Sequence, residues 1–167
     1  MFNGKKVIHI VACGNNGEIG KDNDLLWRIS EDLKFFKEST LGHVVLMGRK
    51  TFESLPKPLE RRMLVKVSRT LSINIDKWLT WSVDQGCDLL NTDCIFIAGG
   101  GQIYKATEPC VDEVWLTEVF ESFEADTFYT LPEGLVVYEE TPIVQCVNKK
   151  TGKFVGVRWS KLKKVTK

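Results

Sequence analysis

The stretch Trp27-Arg28-Ile29-Ser30-Glu31-Asp32-Leu33-Lys34-Phe35-Phe36-Lys37 sets a carboxylate among hydrophobes. Ser30 has the hydroxyl of a helix N-cap, and Glu31 and Asp32 suit the positive end of a helix dipole, so a helix is predicted to start here. At about 100° of turn per residue, Leu33 stands beside Asp32 and Phe36 one turn beyond it, while Glu31, Lys34 and Lys37 can reach water. A half-buried acid without an adjacent cation has a raised pKa, a common property of proton donors and of anchors for pterin or purine rings. The same position also suits an acid that only satisfies backbone N–H groups of the first helical turn, and helix position alone favours that second reading.

Two segments could hold phosphate. Gly99-Gly100-Gly101 lies between a buried strand pattern and the helical start Gln102-Ile103-Tyr104-Lys105, so backbone N–H groups stand open to an anion with no Cβ in the way. It is not Gly-x-Gly-x-x-Gly, and a tight structural turn would use the same glycines. Gly48-Arg49-Lys50-Thr51 places two cations and a hydroxyl where a strand gives way to a helix. Between residues 49 and 69, Arg49, Lys50, Lys57, Arg61, Arg62, Lys66 and Arg69 stand against only Glu53 and Glu60. That excess suits a ligand with several separated anionic groups, such as a phosphorylated cofactor plus a carboxylated substrate; a solvated surface is the alternative for any single lysine. The absence of a P-loop argues against ATP chemistry.

The elements that must position these groups alternate along the chain. Val7 to Cys13 reads as a buried strand followed by the turn Gly14 to Gly17, and the helix from Ser30 is followed by a strand at His43 to Gly48. Thr51 to Leu55 gives a short helix stopped by Pro56 and Pro58, and Met63 to Val67 a third strand. A weaker strand passes through Trp78 to Trp81, and Val83 to Leu90 has a helical pattern weakened by Gly86. Cys94 to Ala98 and Glu113 to Phe120 are further strands, and Val136 to Cys146 with Phe154 to Leu162 reads as a long hairpin around Asn148 to Gly152. The pattern predicts an α/β fold, a central mostly parallel twisted sheet flanked by helices with a C-terminal antiparallel hairpin, in which ligands collect at the carboxyl ends of the strands.

At 167 residues and 19.0 kDa the chain is expected to form a single domain, residues 1–167. No apolar run approaches the ~18 residues that cross a bilayer, and Met1 to Lys6 begins no secretory pattern, so the expectation is a cytoplasmic protein without membrane contact. Five cysteines without a Cys-x-x-Cys pair, and only His9 and His43, assemble no metal spacing; the thiols are expected to be reduced and mostly buried. Residues 141–167 hold 8 basic and no acidic side chains. Lysines on a terminal strand discourage edge-to-edge pairing, and no nucleic-acid motif accompanies them, so nucleic acid is not an expected partner.

Taken in order, Ile19-Gly20, Leu25-Leu26-Trp27, Asp32-Leu33-Lys34-Phe35-Phe36-Lys37, Met47-Gly48-Arg49-Lys50-Thr51-Phe52-Glu53-Ser54, Ala98-Gly99-Gly100-Gly101-Gln102-Ile103-Tyr104, Thr117 and Asp126-Thr127 resemble dihydrofolate reductase across nearly the whole chain. The resemblance implies a monomer that uses NADPH to reduce 7,8-dihydrofolate to tetrahydrofolate, in support of one-carbon and thymidylate metabolism, and that binds antifolate inhibitors. It implies that Asp32 accepts hydrogen bonds from the pterin's 2-amino and ring N–H groups, that Thr117 orients the carboxylate, and that Trp27 helps to position the water that delivers the proton. Ile10, Leu33, Phe36, Leu55 and Leu59 would clasp the pterin and benzoyl groups, Arg62 would fork onto the glutamate α-carboxylate, and Lys37 and Lys57 would line the rim. On the cofactor side, Arg49, Lys50 and Thr51 would bind phosphates, with Ser68 and Arg69 near the 2′-phosphate. Gly100, Gly101, Gln102 and Ile103 would offer backbone to the pyrophosphate, Ala12 and Ile19 would meet the nicotinamide, and Gly20 and Tyr104 complete the set.

The chain departs from the family pattern at four places: Leu26 replaces a proline, Glu60-Arg61-Arg62 replaces Pro-Gly-Arg, Ala125 replaces a glycine, and Ala98 stands where a larger aliphatic is usual. These changes put loop dynamics and inhibitor response in question rather than the reaction. Two rivals remain: a reductase of a riboflavin-precursor pyrimidine or another pterin, and a noncatalytic nucleotide-binding module.

Overall fold

The run after Lys5 becomes strand β1, Lys6–Cys13, with Val7 to Val11 buried on both faces as expected of a strand inside a parallel sheet. The computed structural model describes residues 4–22, 24–55, 61–67 and 93–165. They fall into two compact units, Met1–His9 with Thr40–Asp112, and Ile10–Ser39 with Glu113–Lys167. Trp78 to Trp81, Val83 to Leu90, Pro56, Pro58 and Cys87 lie outside the described residues.

In the first unit β3 (Val44–Gly48) pairs in parallel with β4 (Met63–Val67) and with β5 (Cys94–Ile97), and β5 pairs in parallel with Lys6–His9 of β1. Every residue of β3 is buried, which accounts for its unbroken apolar sequence. Helix α2 (Arg49–Glu53) starts as β3 ends, and helix α3 (Gly101–Thr107) follows β5 after Ala98, Gly99 and Gly100. Thr107 fixes α3: its hydroxyl donates to the Ile103 carbonyl at 2.7 Å and so accepts from His9 Nε2 at 2.7 Å.

The second unit is antiparallel. Here β10 (Lys153–Lys164) pairs with β6 (Glu113–Val119) along one side, and with β9 (Val144–Asn148) and β8 (Leu135–Glu140) in succession along the other. A small ribbon joins β2 (Glu18–Gly20) to β7 (Thr127–Phe128). Helix α1 (Ser30–Thr40) precedes β3 in the chain. Trp27, Ile29, Val119, Cys146, Val155 and Val157 form a buried cluster, with Ala12, Leu26, Phe123 and Trp159 packed against it.

Two expectations are revised. The Ile29 carbonyl accepts from Leu33 N at 3.1 Å, so Ile29 takes the N-cap place and Ser30 is the first helical residue. The arm expected as Val136 to Cys146 is two strands, β8 and β9, separated by Thr141-Pro142-Ile143, because proline has no N–H to extend the ladder. The turn at Asn148 to Gly152 is kept, with Gly152 at φ 75° and its N–H on the Asn148 carbonyl at 2.8 Å.

Candidate active site

Asp32 lies in the first turn of α1, and two side chains from the sheet reach its Oδ1. The Thr117 hydroxyl donates at 2.7 Å and the Trp159 indole Nε1–H at 3.3 Å. Thr117 and Trp159 are direct cross-strand partners on β6 and β10, so their side chains leave the sheet on one face. Neither donor reaches Oδ2. Burial pushes the Asp32 carboxyl above its usual range, and the bonds from Thr117 and Trp159 offset only part of that rise. Leu33 is 53% exposed beside it, and Phe36 is half-buried. Trp159 was not anticipated from the sequence; its one signal was an indole in a half-buried strand, where the N–H needs a partner.

Trp27 is buried in the cluster described above, its ring 5.0 Å from that of Phe123. A second buried acid, Glu18, fixes the nearby loops: Asn16 N–H donates to Oε1 and Phe123 N–H donates to Oε2, the latter at 2.7 Å. Burial pushes the Glu18 carboxyl up, but the N–H bonds from Phe123 and Asn16 outweigh it and hold the group below its usual range. Asp126 binds the β2 loop through its Oδ2, which accepts from Asp22 N at 2.9 Å, and its N–H, which donates to the Gly20 carbonyl at 3.0 Å. A cavity of about 270 Å³ in this unit is lined by residues that include Leu116, Glu118, Phe120 and Tyr129. Leu116 and Glu118 flank Thr117 on its strand and point to the opposite face, so the cavity is separate from the Asp32 cluster.

In the parallel unit, Gly48 N–H donates to the Gly99 carbonyl at 2.7 Å, which ties the end of β3 to the turn before α3. Gly99 has φ 99°, a conformation that favours glycine, and a Cβ there would lie 3.1 Å from the Tyr104 ring. A Cβ on Gly100 would lie 3.4 Å from Thr51 Oγ1, so glycine keeps the approach to that hydroxyl open. Helices α2 and α3 begin at Gly48 and Gly100 without side-chain caps. Such a cradle of main chain, hydroxyl and nearby cations fits a phosphorylated cofactor.

Residues 6–141 match the family described as dihydrofolate reductase. The chain is 36% identical over 131 residues to the dihydrofolate reductase of Staphylococcus haemolyticus, covering 77% of this chain and 79% of the relative. Against the dihydrofolate reductase of Enterococcus faecium it is 33% identical over 174 residues, covering 95% of this chain and 98% of that one. The chain belongs to the dihydrofolate reductase family. Its fold is similar to that of the solved dihydrofolate reductase from Enterococcus faecalis complexed with NADP(H) and RAB-propyl, with a TM-score of 0.72 and 24% identity over 99% of each chain.

Arg61, where the family pattern has glycine, adopts a left-handed backbone, φ 55°, with its carbonyl accepting from Gly42 N at 2.8 Å. Arg61 is exposed, whereas Arg62 is half-buried and leads directly into β4. Leu26, in place of the family's proline, packs against the Trp27 cluster. Ala98 is half-buried, its N–H on the Leu46 carbonyl at 2.9 Å, and Ala125 is half-buried before Asp126.

The remaining expected site residues divide by unit. In the parallel unit Arg49 and Lys50 are exposed, with Arg49 3.6 Å from Glu53, and Thr51 and Leu55 are half-buried. The Gln102 side chain is exposed, while those of Ile103 and Tyr104 are buried. Tyr104 packs edge-on against His9, and the Ile103 and Tyr104 N–H groups donate to the Gly100 carbonyl at 3.0 and 3.1 Å. In the antiparallel unit Ile10 is buried, Ala12, Ile19 and Gly20 are half-buried, and Lys37 is exposed. Lys57, Leu59, Ser68 and Arg69 lie outside the described residues.

Among the described residues no group of His, Cys, Asp and Glu could hold a metal ion, and no helix is long and apolar enough to cross a membrane. Cys13 and Cys146 are buried, Cys94 and Cys110 half-buried, and all four are unbridged. The basic C-terminal strand faces acidic neighbours: Arg158 pairs with Glu118 at 3.0 Å and Glu140 at 2.9 Å, and Lys161 with Glu139 at 3.1 Å.

Proposed function

We propose that this chain catalyses its family's reaction, the NADPH-dependent reduction of 7,8-dihydrofolate to 5,6,7,8-tetrahydrofolate, as a monomer in the cytoplasm, and that Asp32 anchors the pterin. The observation that carries this reading is the half-buried Asp32 carboxylate with both sheet donors, Thr117 and Trp159, on one oxygen. That arrangement presents the other oxygen to the 2-amino and ring N–H groups of a pterin. Thr117 holds the carboxylate plane, and buried Trp27 shapes the place of the water that carries a proton to N5. Ile10, Leu33, Phe36, Leu55 and Leu59 exclude water from the ring, Arg62 forks onto the glutamate tail, and Lys37 and Lys57 line its rim.

The main chain of Gly100, Gly101, Gln102 and Ile103, with Thr51, Arg49 and Lys50, holds the pyrophosphate end of NADPH, and Ser68 and Arg69 the 2′-phosphate. Ala12, Ile19 and Gly20 receive its nicotinamide. When bound, NADPH supplies the hydride. Diaminopyrimidine antifolates compete for the Asp32 carboxylate.

The test is NADPH consumption by the purified protein with dihydrofolate, with a riboflavin-precursor pyrimidine, and with neither. Turnover with dihydrofolate alone is expected. NADPH binding without dihydrofolate turnover, even at mildly acidic pH, would favour the binding-module alternative.

A further inference from the structure

Trp159 is 127 residues from Asp32 in the chain, yet its indole N–H and the Thr117 hydroxyl converge on the same carboxylate oxygen. Its ring already serves the apolar interior, where it packs against the cluster of Trp27, Ile29 and Val157 and lies 6.2 Å from Phe35 at a tilt of 43°. Phenylalanine would supply most of that packing, less the contacts of the indole's second ring. What tryptophan adds is one donor at the edge of the ring, and that donor meets Asp32.

Resting on the reading of Asp32 as the pterin anchor, we propose that Trp159 is a positioning residue for the reaction. Its indole N–H and the Thr117 hydroxyl clamp Oδ1, fix the plane of the carboxylate and leave Oδ2 to the substrate. Two donors on one acceptor from adjacent strands restrict rotation about the Cβ–Cγ bond of Asp32 more than one donor can. Both also favour the ionised carboxylate, which opposes the effect of burial.

The surrounding titratable groups leave this balance to the two donors. Glu31 is on the same helix, and Cys146 on β9 has its thiol pushed up to about 12 by burial and by Glu31 and Asp32, so it stays neutral near physiological pH. Arg158 and Glu118, in the neighbouring strand positions, bond one another on the opposite face of the sheet.

The variant Trp159→Phe separates packing from donation. Expected are retained folding, unchanged NADPH affinity, a loss of roughly 3- to 10-fold in kcat/KM for dihydrofolate, and a carboxyl pKa for Asp32 raised by about half a unit or more, read from carboxyl-labelled aspartate by NMR. In the unaltered protein the Trp159 indole N–H resonance should titrate with the Asp32 carboxyl, and Asp32→Asn should abolish that titration. This second measurement does not depend on how the tryptophan variant folds. An indole resonance blind to Asp32, or a Trp159→Phe protein with unchanged kcat/KM and unchanged Asp32 titration, overturns the proposal. If Asp32→Asn turns over normally, the reading of Asp32 itself fails; if that variant is inactive while Trp159→Phe is unaffected, only the role of Trp159 fails.

Discussion

The two units build their candidate surfaces from different materials. In the parallel unit the candidate phosphate cradle is largely main chain, with Gly48, Gly99 and Gly100 bringing strand ends and helix starts together and Thr51 adding a hydroxyl. In the antiparallel unit the Asp32 cluster is side chains only, brought together from α1, β6 and β10 by strand register. A main-chain surface depends on backbone conformation and tolerates varied side chains. A side-chain cluster depends on pairing: a one-residue slip of β10 against β6 would bring Arg158 or Ser160 to the place of Trp159. The difference predicts separate sensitivities, the candidate phosphate cradle to changes of backbone conformation and the Asp32 cluster to changes of side chain.

Changes confined to the cradle or to the Asp32 cluster should therefore damage one function. Thr117→Val keeps shape and removes the shorter of the two bonds to Asp32, so kcat/KM for dihydrofolate is expected to fall roughly 10- to 100-fold, as for loss of a hydrogen bond to a charged group. Steady-state kinetics and an NADPH titration on the same protein check it; an equal loss of NADPH affinity would break the division of labour. Gly99→Ala should do the converse. The strained φ and the close Tyr104 ring would distort the turn, and fluorescence titration should show NADPH bound about tenfold more weakly, for a cost of about 1–2 kcal/mol. Smallest is Arg61→Gly, which relieves a left-handed arginine at an exposed turn. It should stabilise the protein by up to about 1 kcal/mol and raise the melting temperature by roughly 2–4 °C without changing NADPH affinity.

The same contrast explains what could be read from the sequence. Gly99-Gly100-Gly101 and Gly48 to Thr51 are contiguous, so the parallel unit's candidate cradle was visible as motifs, and the unbroken apolar runs of β3 and β5 announced their burial. Asp32 was visible from helical periodicity. Its partners were not, because they lie 85 and 127 residues away and meet it only through the register of β6 and β10. Thr117 came from family resemblance alone, and Trp159 from neither source. The division of the last hairpin at Pro142 and the left-handed backbone of Arg61 likewise depend on pairing and turn geometry that composition does not encode.

The most direct test of this division is Asp32→Asn, with single-turnover hydride transfer and NADPH affinity measured on one preparation. Exchanging the carboxylate for an amide removes the charge and turns one of its two acceptor oxygens into an NH2 donor, and it leaves every group of the parallel unit in place. At neutral pH the rate of dihydrofolate reduction should fall by about 100-fold or more while NADPH affinity stays unchanged. Near-normal turnover, or a loss of NADPH affinity that matches the loss of rate, would contradict the account.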